Sequence, residues 1–227
     1  MVVDTPQGRF FVDPVSLLGI ALSKRGCYEP EMHSTLRQFL GRGKTFVDLG
    51  ANEGYFTVIG AKLCQAEGRV IAIEPQHRLL PVIEENLRLN GLTNASLVNA
   101  ALSDTPGQVT LHLTSDTNSG GSGLHRHTAY SLPTQEVAAM TLAQVLDQQK
   151  IDHVDLMKVD IEGFEYEALL GSPDVFHQHR ILALALELHP TILAERGKNA
   201  GDIEQMLAST GYRKTETFGN SVWLAPE

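Results

Sequence analysis

The chain has 227 residues, with 18 Lys and Arg against 27 Asp and Glu, for a net charge of −9. Hydrophobic residues make up 42% and charged residues 20%, which supports a packed core and excludes global disorder. The acidic balance argues against non-specific binding to nucleic acid or anionic membranes, because both need clustered Lys and Arg.

The opening MVVDTPQGRF has no apolar run of the kind found in a signal peptide. Residues 1–44 lack a regular strand–helix alternation and are expected to form a helical cap or lid, with Pro30 to Leu40 as its clearest helix. Thr45 to Leu49 then reads as a buried strand stopping at Gly50, and residues 53–66 place Phe56, Ile59 and Leu63 at helical spacing. Arg69 to Ile73 is a second strand, ending in Glu74-Pro75. Residues 77–90 put Leu80, Ile83 and Leu87 on one helix face, with Glu84 and Arg88 as an i,i+4 pair and Asn90-Gly91 as the stop. Ala95 to Leu102 is a third strand. Gln108 to Leu113 alternates as an extra, half-exposed strand outside the main repeat.

Residues 114–134, rich in Ser, Thr, Gly and His, read as a long loop that is either functional or disordered. Thr141 caps a short helix with Leu142, Val145 and Leu146 inward. Val154 to Val159 is a fourth strand, followed by a helix from Gly163 to Leu170. Ile181 to Leu186 is continuously apolar, as in a strand covered on both faces, and is far too short to span a bilayer. A helix near 201–210 precedes two runs, 212–218 and 221–225, expected to form an antiparallel hairpin with Gly219-Asn220 at its turn. Cys27 and Cys64 are too few for a zinc site or a disulfide framework and read as reduced thiols, consistent with a cytoplasmic protein.

Strands alternating with helices imply an α/β fold: a parallel sheet with helices on both faces, in residues 45–227, behind the 1–44 cap. Ligands of such sheets sit beyond the carboxyl ends of the strands. The first end reads Asp48-Leu49-Gly50-Ala51-Asn52-Glu53-Gly54-Tyr55. Gly50 lets the chain turn, and Gly54 permits close packing of a helix or a ligand. Asp48 suits either an ammonium contact or a carboxylate that caps the turn. Glu74, at the second strand end, suits a ribose diol or an exposed surface acid. A dinucleotide fingerprint aligned on Gly50 needs two further glycines, where this chain has Asn52 and Tyr55, and no phosphate loop of the G-x-x-x-x-G-K-[ST] type is present. A nucleoside without pyrophosphate remains, with an acid facing a cationic group; S-adenosylmethionine has those features.

Asp48-x-Gly50-x-Asn52-x-Gly54, Glu74-Pro75, Asn99-Ala100-Ala101-Leu102-Ser103-Asp104 and Lys158-Val159-Asp160-Ile161-Glu162-Gly163-x-Glu165, with Tyr28-Glu29-Pro30 upstream, resemble the FkbM-type methyltransferase family. The resemblance runs from about residue 26 to 190. It implies a Rossmann-like, doubly wound, mostly parallel seven-stranded sheet, binding of S-adenosyl-L-methionine, and O-methylation of a sugar or hydroxylated natural product. It also implies that Asp48, Gly50, Asn52 and Gly54 hold the methionine part, Glu74 and Pro75 the ribose, and Asn99 and Ala100 the adenine edge. Asp160 would face the sulfonium and the acceptor, and Tyr28 and Glu29 would lie over the cofactor or simply begin a helix.

On the acceptor side, Lys158 and Asp160 share a strand face, and Asp160 and Glu162 crowd two carboxylates near the strand end. With Glu187 and His189, at the end of the next strand, they are the candidate catalytic acids and bases. Asp160 and Glu187 also lie where some related O-methyltransferases bind magnesium, and a metal is left open. His125 and His127, flanking Arg126, are either solvated loop residues or acceptor contacts. A homodimer is compatible with the sequence; the alternatives are an N-methyltransferase acting on an amide or amine of a small molecule or protein, and a non-catalytic nucleoside-binding module.

Overall fold

A computed structural model describes residues 1–113 and 133–226. His125, Arg126, His127 and nearly all of the expected 114–134 loop fall outside them.

The chain opens with a hairpin of β1 (Val2–Thr5) and β2 (Gly8–Phe11), followed by helices α1 (Leu17–Arg25) and α2 (Pro30–Phe39). The segment has the expected helix over Pro30–Phe39, while its first residues are extended as a hairpin that the sequence reading did not include. The Thr5 hydroxyl accepts the Gln7 and Gly8 N–H groups and closes the turn. Phe10 and Val12 are fully buried, so the hairpin is anchored by its side chains.

Next come β3 (Thr45–Leu49), α3 (Tyr55–Cys64), β4 (Arg69–Ile73), α4 (Leu80–Leu89) and β5 (Ala95–Val98), close to the expected order. On α4, Arg88 pairs with Glu85 one turn back. The expected strand from Ala95 to Leu102 is broken in two. After β5, the short β6 (Ala101–Leu102) leaves the main sheet and pairs with β8 (Thr134–Met140), which also pairs with β7 (Gly107–His112). The chain then forms α5 (Leu142–Gln148), β9 (Leu156–Val159), α6 (Glu165–Leu170), α7 (Pro173–His177), β10 (Ala183–Leu186), α8 (Pro190–Glu195) and α9 (Ala200–Ser209). Helices α7 and α8, of five and six residues, are too short to show a periodicity in sequence.

The chain ends in a hairpin of β11 (Arg213–Thr217) and β12 (Asn220–Leu224). Thr217 pairs with Asn220, so the two turn residues are Phe218 and Gly219 rather than Gly219 and Asn220. Both have positive φ, 51° and 85°, as a two-residue type I′ turn requires.

The seven-stranded sheet has the order β11-β12-β10-β9-β3-β4-β5. β10, β9, β3, β4 and β5 are mutually parallel, and β12 runs antiparallel to β10. This is the Rossmann-like doubly wound sheet with a C-terminal antiparallel hairpin. Side chains alternate between its faces. Val47, Leu49, Ile71, Met157 and Val159 join a core with α5, α6, α7 and α9. Phe46, Val70 and Leu156 join another with α1 to α4 and the N-terminal hairpin. The chain leaves β3 toward one edge through β4 and returns beside it as β9 toward the other. The switch point in strand order therefore lies between β3 and β9, and a cleft opens above it.

Candidate active site

The turn after β3 is shaped by close approach. Gly50, at φ 83°, lies so near the chain leaving β9 that a Cβ there would stand 1.9 Å from the Asp160 carbonyl oxygen. The Gly50 and Ala51 N–H groups both donate to the Ile73 carbonyl, which ties the turn to the end of β4. Asn52 adopts a left-handed φ of 50°, and its backbone N–H donates to Glu74 Oε2 at 2.9 Å. Gly54 has a different task. At φ 80° it lets α3 pack against Ile83 of α4, which a Cβ would meet at 3.0 Å.

Glu74 is buried, yet its side chain lines the cleft. Oε1 accepts the Gln76 N–H at 2.9 Å and Oε2 that of Asn52, so the carboxylate is held from both sides by backbone. Burial pushes its pKa up to about 7, against the lowering effect of those two N–H groups. Asn99 gives its side-chain amide to the Glu74 and Pro75 carbonyls at 2.8 and 3.0 Å. It thus holds this corner in place, and its neighbour Ala100 lines the cleft together with Pro75.

Beneath the turn, Asp48 is 1% exposed and takes a 2.6 Å hydrogen bond from the Thr57 hydroxyl on Oδ2. Burial raises its pKa, with Lys158 and Thr57 opposing. Lys158 is 3% exposed, donates to Asp160 Oδ2 at 3.3 Å and faces the Phe56 ring. Burial works against its charge, but Asp160, Asp48 and Glu29 outweigh that and hold its pKa above the ordinary lysine value. Asp48, Gly54 and Asn99 are therefore not part of the cleft lining, whereas Gly50, Asn52, Glu74, Asp160 and Glu162 are.

The far side of the cleft is acidic. Asp160 follows β9, and Glu162 sits two residues on in a left-handed conformation at φ 51°. His189, which precedes α8, points Nε2 at both: 3.8 Å to Asp160 Oδ1 and 3.7 Å to Glu162 Oε2. Its Nδ1 lies 2.7 Å from Glu165 Oε1, which also accepts the Gly163 N–H. That hydrogen bond to Glu165 is the main reason the His189 pKa rises to about 9; burial opposes it and the neighbouring acids add to it. Burial also raises Glu162 and Glu187. Glu187, at the end of β10, feels Asp160 and Glu29 but stays outside the group formed by Asp160, Glu162 and His189, whose ligating atoms all lie within 4.8 Å of one another. Glu165 carries a role that the sequence reading did not assign. The signal was its place at the end of the Lys158 to Glu165 block.

The N-terminal segment contributes Leu17, Leu18 and Tyr28 to the cleft. The Tyr28 phenol is pushed up by burial and by the Glu29 carboxylate beside it. Glu29 begins α2 at φ 44° and acts on the cleft through its charge on Tyr28, Lys158 and Glu187.

The sequence model described as the Methyltransferase FkbM domain matches residues 48–214. The chain belongs to the FkbM methyltransferase family. It is an enzyme, an S-adenosylmethionine-dependent methyltransferase. No curated protein matches the sequence. Among solved structures it is similar to a SAM-dependent methyltransferase from Aquifex aeolicus (15% identity, 87% of this chain and 88% of that one, TM-score 0.46). It is also similar to a precorrin-6y methyltransferase from Geobacter metallireducens (14%, 85% and 76%, TM-score 0.49). A third is Aeropyrum pernix fibrillarin with natively bound S-adenosyl-L-methionine (10%, 86% and 73%, TM-score 0.46). Among the described residues, no helix of the methyltransferase is long and apolar enough to cross a membrane.

Proposed function

We propose that this methyltransferase transfers the methyl group of S-adenosylmethionine to a hydroxyl of a sugar or other small hydroxylated natural product. The observation that carries the reading is the pairing of two ends in one cleft. Glu74, pinned by two backbone N–H groups, has lone pairs left for a ribose diol. Opposite it, Asp160 and Glu162 present acceptors suited to hydroxyl donors. The turn Gly50 to Asn52 then cradles the methionine part, supported from below by Asp48 and Gly54. Pro75 and Ala100 flank the nucleoside, with Asn99 holding their corner. Tyr28 and Glu29 close over the cofactor as part of a 1–44 cap on the 45–227 domain.

The sulfonium methyl is already electrophilic, so the chain has two tasks. Alignment of oxygen, methyl carbon and sulfur contributes up to about 7–11 kcal/mol. Removal of the hydroxyl proton on the acidic side, by Asp160 or by Glu162, Glu187 or His189 beside it, contributes about 10²–10⁴-fold. As the new O–C bond forms, the C–S pair returns to sulfur and leaves S-adenosylhomocysteine. The same acids suit an amine acceptor, so N-methylation is the second reading. Net charge and the acidic cleft favour a small molecule over nucleic acid, in a cytoplasmic setting.

The test is calorimetric titration with S-adenosylhomocysteine, followed by transfer of labelled methyl to a panel of polyols and amines. Binding, with label in the polyols, is expected. No binding at millimolar nucleoside rejects the cofactor assignment, and label confined to amines rejects the O-methylation assignment.

A further inference from the structure

We propose that Asp160, Glu162 and His189 form a divalent-cation site at the acceptor end of the cleft. The task given to the cation rests on the methyl-transfer reading above; its binding does not.

Three elements converge on this point: the end of β9, the turn that follows it and the residue that opens α8. Nε2 of His189 stands 3.8 and 3.7 Å from one oxygen of each carboxylate. Two adjacent ligands held about 2.1 Å from one ion stand about 3.0 Å apart in an octahedral shell and about 3.4 Å apart in a tetrahedral one. The observed spacing is too long for direct hydrogen bonds, and the three side chains need to close by only about 0.5 Å to share an ion.

Glu165 is the second, independent observation. It is 0% exposed, and its Oε1 engages His189 Nδ1 at 2.7 Å while accepting the Gly163 N–H. A fully buried carboxylate that engages one imidazole nitrogen fixes the ring and presents the other toward the two acids. Metal-ligating histidines are held in this way, with the outer nitrogen bonded to a carboxylate and the inner one free to ligate. Glu162 adds a third sign. It keeps a left-handed backbone, unusual for a glutamate, in the conformation that carries its side chain to His189.

Two carboxylate oxygens and one imidazole nitrogen suit a cation such as Mn²⁺. The open coordination positions would take the acceptor oxygen and water. A cation there would supply Lewis-acid chemistry toward the acceptor oxygen. With Asp160, Glu162 and His189 engaged as ligands, the hydroxyl proton would pass to Glu187 or to solvent as the oxygen forms its bond to the methyl carbon and the C–S electron pair returns to sulfur. The competing account is an imidazolium that bridges the two acids without a metal.

The experiment is titration of EDTA-treated, dialysed enzyme with MnCl₂, followed by calorimetry and by the electron paramagnetic resonance signal of free Mn²⁺. S-adenosylhomocysteine is titrated into the same samples, and circular dichroism checks the fold. One Mn²⁺ per chain is expected, with E162Q and H189Q each weakening it at least about tenfold and E165Q, a positioning variant, by about 10–100-fold. Glu162 is partly exposed, so E162Q is the variant least prone to misfold, and its nucleoside affinity should change far less than its Mn²⁺ affinity. Absence of Mn²⁺ binding at millimolar concentration, or equal binding by wild type, E162Q and H189Q, overturns the site and favours the imidazolium bridge. Nucleoside binding without Mn²⁺ binding rejects the cation alone. Mn²⁺ binding without nucleoside binding rejects the cofactor reading and leaves the cation site standing.

Discussion

Asp48 and Lys158 are register partners on adjacent central strands, and both are almost completely buried. A charged pair at this depth is costly to leave half-made, because the remaining charge has neither water nor a partner. Lys158 also reaches Asp160, so one ammonium links the residue beneath the turn after β3 to the acidic side of the cleft. Lys158→Met should destabilise the fold by about 3–5 kcal/mol. Asp48→Asn in the same chain should restore much of the loss, a non-additivity that urea unfolding of the double-mutant cycle would reveal. Additive effects would mean that the two groups do not interact.

Glu74 should give nucleoside binding and stability opposite pH dependences. Its folded pKa, about 7, lies above the ordinary glutamate range. The protonated form is therefore favoured by folding: that stability is fully present below the unfolded pKa and is lost as pH rises through 7. A ribose diol needs the ionised form as acceptor, so affinity for S-adenosylhomocysteine should rise by up to about tenfold per unit below pH 7 and level off above it. Asp48 is the charged neighbour that adds to the shift. In Glu74→Gln the pH dependence should vanish, and Glu74→Ala should cost about 1.5–3 kcal/mol of binding. Calorimetry across pH 5.5–8.5, or about three decades of proton concentration, checks both.

Gly50→Ala should destabilise the enzyme by at least about 2 kcal/mol, since it combines a positive φ with overlap onto backbone. Gly54→Ala meets a side chain at a longer distance and should cost less. Thermal unfolding of the two variants should rank them in that order, and a mild Gly50→Ala would show that the chain after β9 can yield.

Phe218 holds a left-handed φ in the terminal hairpin turn with 57% of its surface exposed. Asn tolerates that conformation better than a bulky aromatic, and Asn-Gly is the preferred pair for a two-residue hairpin turn. Phe218→Asn should therefore stabilise the protein by about 0.5–1 kcal/mol, measured as a higher urea midpoint at unchanged slope. A loss would assign the ring a packing role.

On the acidic side, Asp160→Ala should reduce turnover by about 10²-fold or more while nucleoside affinity changes only a few-fold, as its proposed role toward the acceptor requires. Initial rates with labelled cofactor, set beside a binding isotherm, separate the two effects.

The strand–helix alternation from Thr45 to Leu186 was legible because each element carries its own periodicity and stop residues, and the turn Asp48 to Gly54 because glycine at fixed spacing has few uses. The N-terminal hairpin was not legible, since four-residue strands carry little periodic signal and this one is anchored by burial of Phe10 and Val12. The break of the third strand at Asn99 depends on carbonyls about 25 residues away. Which residues stand near the cleft followed from strand ends read in sequence. Their division of labour did not. Gly50 yields to the Asp160 backbone, Asn99 braces the Glu74 corner, and Glu165 orients His189 across 24 residues of chain. Local pattern determines elements because it acts through neighbouring backbone and side chains. Partner choice among buried polar groups was decided only by the tertiary structure, because it depends on which groups the packed core leaves facing each other out of reach of water.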